Sequence, residues 1–255
     1  MLRFTTNTIK RVSQSLRVAT WNAEWASPRD SRGKRVAKVL EDIKADIIVL
    51  TEGCSELLPP DGFTLEGAND WGYQVAEAER RKVILWSRFE LLNVDITGHS
   101  DLPSGRYVSA SINCQYGSVR VHGVCIPWSD AHVRTGRMDR KRWEDHNIYI
   151  SNFKKILKAQ EELTLVAGDF NQRIPRKRQP LDSYNLLSDA ISDLTVHTTN
   201  TPGSPLIDHV ATSPQMTASD IEIIENFDKQ GQLSDHRGVV TNLALEPVTE
   251  KFRTK

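Results

Sequence analysis

Five short stretches of the chain end an apolar or strand-like run in acids, amides or histidines: Asn22 with Glu24, Glu52, Asp169 with Asn171, Asp208 with His209, and Asp235 with His236. A buried polar group without partners costs about 2–7 kcal/mol when neutral and more when charged. A run such as LTLVAGDFN (163–171) must therefore surface at its polar end or meet a ligand there. The donors are oxygen and imidazole, with no thiolate cluster and no HExxH, which disfavours zinc and suits a hard divalent cation. Mg²⁺, which keeps several waters and takes one or two carboxylates, fits best, with Mn²⁺ as the expected substitute; such a site handles phosphate.

These side chains can cooperate only if the fold brings the strand ends together. RVATWNAEW (17–25) alternates as a strand, Val36, Val39, Leu40 and Ile43 recur at helical spacing, and DIIVLTE (46–52) reads as a second strand. A strand, helix and strand this close in sequence form a right-handed crossover with parallel strands, so Asn22 and Glu52 emerge at one shared edge. Residues 53–80 read as loops with room for short strands, and 82–96 as one or two strands. RYVSASIN (106–113) and VRVHGVCIPW (119–128) make a hairpin around a Tyr116-Gly117-Ser118 turn. A helix from about Met138 to Leu163, marked by Trp143, Ile150, Phe153, Ile156 and Leu157, leads into LTLVAGDFN. This second crossover predicts that the end of the 119–127 strand shares an edge with Asp169 and Asn171. The last third predicts a helix near 184–193 and strands at 206–213, around 221–227 and at 233–245. His209 follows Asp208 by one residue, so in a strand the two face opposite ways.

With 255 residues, 38% hydrophobic and 26% charged, the chain can bury a sizeable core. Lysine plus arginine balances aspartate plus glutamate at 33 each, so any nucleic-acid surface must be local rather than global. Cys54, Cys114 and Cys125 are too scattered for a disulfide framework or a thiolate metal site, which points to a reducing, cytoplasmic setting. No run approaches the ~20 apolar residues of a membrane span. The expected organisation is a short leader over 1–15, with an organelle transit segment as the other reading of its basic, acid-free composition, one domain over 16–246 and a tail over 247–255. A monomer without an obligate protein partner is expected.

TWNAEW (20–25), VLTEG (49–53), GDFN (168–171), the Asp of LIDHV (206–210) and SDHRGVV (234–240), in this order, resemble the endonuclease/exonuclease/phosphatase superfamily, with apurinic endonucleases and pancreatic-type deoxyribonucleases among its members. The resemblance implies a four-layered α/β sandwich, two mixed β-sheets face to face with outer helices and the site at one edge. It implies Glu52 as the principal metal ligand with Asn22 beside it, Asp235 helping to hold the metal and Glu24 at a second cation position. It further implies Asp169 as the group that orients or deprotonates water, Asn171 as a phosphate contact, and His236, oriented by Asp208, as the stabiliser of charge on phosphate. The activity implied is phosphodiester hydrolysis, in first place of DNA or RNA. Inositol phosphates or other small phosphoesters are the alternative substrates, and a catalytically silent domain of the same fold is the second alternative.

The chain departs from the pattern at Cys125, where relatives carry a tyrosine or histidine. Cys125 is either a thiol near the leaving group or a small apolar strand residue, and His122 is structural or on the surface. Arg106 is placed to contact phosphate or to pair with an acid. RTGRMDRKR (134–142) and RIPRKR (173–178), with Arg173 first, are candidate polyanion rims. Trp25, Trp71 and Trp128 fall at or beyond strand ends, where a ring stacks on a base or packs under a loop.

Overall fold

Strands covered on both faces explain why so many runs in this chain are apolar without strict alternation. The computed structural model describes residues 15–74, 77–114, 117–201 and 206–245. All but the last residue of the expected leader, the whole expected tail and Tyr116 of the expected turn lie outside the described residues. Along the chain run β1 (Leu16–Asn22), α1 (Ser31–Asp42), β2 (Ile47–Gly53), β3 (Phe63–Glu66), β4 (Arg81–Ser87), β5 (Leu92–Asp95), β6 (Tyr107–Cys114) and β7 (Gly117–Cys125). There follow α2 (Glu144–Lys158), β8 (Leu163–Asp169), α3 (Leu181–Ala190), β9 (Thr195–Val196), β10 (Asp208–Thr212), β11 (Met216–Ile224), the short pair β12 (Phe227–Asp228) and β13 (Gly231–Gln232), and β14 (Gly238–Leu245).

Two six-stranded mixed sheets result, in the orders β11-β14-β1-β2-β4-β3 and β5-β6-β7-β8-β10-β9. Val18, Val49, Leu85, Val108, Val121 and Leu165 fill the space between them. Trp21, Ile48 and Trp86, on the other face of the first sheet, pack against Val36 and Leu40 of α1. Tyr149 and Phe153 of α2 and Leu187 of α3 cover Val166, Phe170 and Ala211 on the outer face of the second. The chain is thus a four-layered α/β/β/α sandwich. β1 pairs parallel with β2, and β7 with β8, so both crossovers bring their strand ends to one edge.

Gly168 has a physical reason to be glycine. Its φ is +143°, and a Cβ there would lie 1.9 Å from the Val124 carbonyl oxygen, so only glycine lets β8 run this close to β7 just before Asp169.

Several boundaries differ from the sequence expectation: the helix near 184–193 is Leu181–Ala190, the strand around 221–227 is Met216–Ile224, and Gly117 and Ser118 of the expected turn already belong to β7. The helix expected over 138–163 occupies only Glu144–Lys158. Glu144 and Asp145 stand in its first turn and Lys155 and Lys158 in its last, the arrangement that complements the helix dipole. The basic residues before it fold back instead, with Arg137 and Arg140 both paired to the buried carboxylate of Asp145. Likewise the closing strand begins at Gly238, not 233, and Ser234, Asp235 and His236 lie in the loop before it.

Candidate active site

The first sheet brings Asn22 from the end of β1, Glu52 from β2, Lys82 from β4 and, through the loop before β14, His236. The second sheet brings Asp169 from β8, Asn171 just after it, and Asp208 from β10, which lies directly opposite Asp169 in the antiparallel register. Hydrogen bonds join the two sets: Asn22 Nδ2 donates to Asp169 Oδ2 at 3.3 Å, and His236 Nδ1 donates to Asp208 Oδ2 at 2.6 Å. Asp169, Asp208 and His236 bring one ligand atom each within 4.8 Å of the others.

Local backbone fixes this convergence. Asn171 has φ +51°, which turns its side chain back so that Nδ2 donates to Asp169 Oδ2 and to the Ile126 carbonyl, while its backbone N–H donates to Asp169 Oδ1. Phe170 between them is fully buried against His209. Glu52, Glu24 and Trp25 also adopt left-handed φ, costly for non-glycine residues and concentrated here at the ends of β1 and β2. Trp21 Nε1 donates to the His236 carbonyl, and Ser234 Oγ donates to the Asn22 carbonyl and accepts the His236 N–H. The end of β1 therefore pins the His236 loop from both sides.

On the far side, Gln172 Nε2 donates to His146 Nε2 and to the Ser183 carbonyl, and His209 Nε2 donates to the Gln172 carbonyl. Burial pulls His146 and His209 down to about 4, so both brace the Asp169 turn as neutral rings.

Electrostatically, burial pushes the Asp169 carboxyl up to about 7; His236 pulls against that rise, and Asp208 and Glu52 add to it. Burial pulls His236 down, but the charge and hydrogen bond of Asp208, with Asp169 and Asp235 behind them, outweigh it and hold the ring up at about 10. Glu52, the expected principal metal ligand, is not one of the three converging residues and its Oε1 lies 2.6 Å from Lys82 Nζ, although its charge acts on Asp169; with Asp169, Asp208 and the Asn22 carboxamide it supplies oxygen donors and no thiol. That set fits a hard divalent ion.

The family model for the endonuclease/exonuclease/phosphatase family matches residues 19–236. The chain belongs to this family. Members are generally hydrolases of phosphoester bonds and typically use divalent metals. No curated protein sequence matches the chain. Among solved structures, an endonuclease/exonuclease/phosphatase from Bacteroides vulgatus has TM-score 0.64 at 18% identity, covering 91% of this chain and 100% of its own. A humanised D. rerio TDP2 has TM-score 0.63 at 13% identity, covering 90% and 98%. The endonuclease domain of TRAS1, a telomere-specific non-LTR retrotransposon, has TM-score 0.60 at 14% identity, covering 91% and 100%. At these identities the likeness is one of fold.

Not every residue that family resemblance nominates joins the cluster. Glu24 is not among the three converging residues, and its Oε2 accepts from Arg32 Nη1 at 2.9 Å and from Gln232 Nε2 at 3.0 Å. The Asp235 side chain is 59% exposed, with Oδ1 3.8 Å from His236 Nε2. Cys125, expected near the leaving group or in the core, is in the core: it is 1% exposed between the sheets, and burial pushes its thiol up to about 12. His122 is fully buried with Nδ1 2.9 Å from the Tyr107 hydroxyl. Arg106 is buried with Nη1 3.4 Å from the Cys125 carbonyl, while its Nη2 has no hydrogen bond.

The two basic stretches differ. Arg137, Arg140 and Arg142 of the first are committed to Asp139, Asp145 and Asp130. The second keeps Arg173, Arg176, Lys177 and Arg178 exposed just past Asn171, and Arg173 lines a cavity of about 320 Å³ with Asp235 and His236. Trp128 is 46% exposed, whereas Trp71 is buried and stacked on Trp25.

Lys82 was not singled out in the sequence. Its Nζ lies 2.6 Å from Glu52 Oε1, and its signal was the antiparallel pairing of β2 with β4, which sets a lysine opposite Glu52 at the same edge. Ser234 and Trp21, which hold the His236 loop, were equally silent because they act through backbone groups.

Proposed function

We propose that the chain is a Mg²⁺-dependent phosphodiester hydrolase acting on nucleic acid. The observation that carries this reading is the convergence of Asp169, Asp208 and His236 from both sheets within 4.8 Å. Asp169, raised to about 7, is poised to take a proton from water near neutral pH, and Asn171 and Asn22 hold its carboxylate in place. His236, kept as an imidazolium by Asp208, offers its Nε2–H to a phosphate oxygen on which charge accumulates. Glu52 and Asn22 would hold the divalent ion, which when bound neutralises the substrate anion. Lys82 adds a second positive charge at the Glu52 carboxylate. No covalent intermediate is required.

The family includes phosphatases, so the substrate panel decides. Purified protein is incubated with plasmid, single-stranded DNA, RNA and inositol phosphates, with Mg²⁺ or with EDTA. Cleavage of nucleic acid that EDTA abolishes and His236→Ala removes is the expected result. Turnover of inositol phosphates alone would overturn it.

A further inference from the structure

Beside Glu52, and outside the Asp169, Asp208 and His236 group, the structure forms a cavity of about 340 Å³ lined by Trp25, Trp71, Tyr73, Arg80, Lys82 and Trp128 among others. Its volume lies within the roughly 300–1,000 Å³ of small-molecule sites. Trp25 and Trp71 form a preassembled wall, with ring centroids 5.7 Å apart and planes 16° apart. Arg80 and Lys82 sit over the Trp25 ring, at 5.3 Å and 4.8 Å from its centroid. Trp128 is 46% exposed, and among the described residues it stacks on no other ring. An open aromatic face beside cations is suited to a flat, anionic ligand, which stacks on the ring and pairs with the charges.

The cavity is joined to the hydrolytic centre through two contacts. Lys82 Nζ lies 2.6 Å from Glu52 Oε1, and the Trp25 N–H donates to the Glu52 carbonyl at 2.7 Å. Glu24, Trp25 and Glu52 all adopt left-handed backbone to make that join. Glu52 also acts through its charge on the Asp169 carboxyl, so it links the cavity to the hydrolytic group.

We infer that this cavity binds the nucleobase adjacent to the hydrolysed phosphate, stacked on the exposed Trp128 ring with Arg80 and Lys82 beside it, and so selects unpaired nucleotides. The inference rests on the phosphodiester reading for its orientation. A base has two π-faces and sits within one sugar of an anion, which matches rings and cations side by side. An inositol phosphate or a ribose phosphate supplies the anion without the ring. A base stacked and paired within a duplex cannot enter without the cost of leaving its stack.

The test is isothermal titration calorimetry of the full chain, with divalent ions chelated, against adenosine monophosphate, cytidine monophosphate and ribose phosphate. Both nucleotides should bind, and ribose phosphate should bind at least fivefold more weakly. Trp128→Ala should weaken nucleotide binding roughly five- to hundredfold, the loss of one base–aromatic stack, and Trp128→Phe should restore most of it. A single-stranded oligonucleotide should bind more tightly than the mononucleotides and than its own duplex. Equal binding of ribose phosphate and nucleotide, unchanged binding in Trp128→Ala, or equal binding of duplex and single strand would each overturn the inference. Because these titrations involve no turnover, their failure leaves the hydrolytic reading standing. An active Asp169→Asn variant would overturn that reading without touching base binding.

Discussion

Replacing Asp208 by asparagine keeps the shape of the buried side chain and removes its charge, which makes it the sharpest probe of the His236 pair. In the native protein Asp208 is fully buried with Oδ2 2.6 Å from His236 Nδ1, and it is the first of the groups that raise the imidazole to about 10. An opposite charge at this range is worth about 1–3 pH units, so in Asp208→Asn the imidazole should titrate at roughly 7–9. At pH 9 the protonated share then falls from about nine-tenths to half or less. Nuclear magnetic resonance of the His236 ring protons reads this without substrate or metal. The same change should appear in stability. Because the folded His236 value lies above the unfolded ~6.5, its stabilising contribution is complete below about pH 6.5 and is lost as the pH rises through about 10. Asp208→Asn should therefore cost about 3–5 kcal/mol near pH 6, the typical loss on breaking a buried pair, and less above pH 10. A His236 midpoint unchanged within about half a pH unit would refute Asp208 as the group that keeps the ring charged.

His209 is held near 4, below the unfolded ~6.5, so its contribution is present above about pH 6.5 and is lost as the pH falls toward 4. His209→Gln should flatten the acid limb of chemical-denaturation stability by up to about 1.4 kcal/mol per pH unit in that window, and an acid limb parallel to wild type would contradict this. Cys125→Ala should keep kcat within about twofold, and in the native protein the thiol should resist iodoacetamide near pH 8, because burial holds it at about 12. Native alkylation at Cys125, mapped by mass spectrometry, would contradict its place in the core. Gly168→Ala should lower stability by about 1–3 kcal/mol or more, through both the clash with the Val124 carbonyl and the left-handed backbone; an unchanged thermal midpoint would show that β7 and β8 separate freely.

The fold was legible because its signals are local. The two strand, helix and strand units at 17–52 and 119–169 carry their own periodicity, and crossover handedness then sets Asn22 with Glu52, and Cys125 with Asp169, at shared edges. The pairing of Asp208 with His236 came only from family resemblance, since nothing in residues 206–236 alone says that the loop folds across β10. What the sequence hid depends on tertiary partners. Glu24 reads as a free acid until Arg32 is placed on it, and the basic run 134–142 reads as a rim until Asp145 is seen to hold it. Cys125 offers a thiol near the leaving group or a small apolar strand residue until the first sheet is seen to pack over β7 and cover it. Lys82 was invisible for the opposite reason: a lysine at a strand start has no motif, and only the β2–β4 register makes it Glu52's partner.

The central claim is that residues from both sheets form one hydrolytic site, and a time course with the wild-type protein and Asp169→Asn tests it most directly. Both are incubated with a labelled single-stranded oligonucleotide and Mg²⁺, after circular dichroism has shown the same fold. Loss of proton acceptance at Asp169 should slow cleavage by at least about 100-fold, within the range of a general base. Cleavage by Asp169→Asn at a rate within a few-fold of wild type would contradict the account.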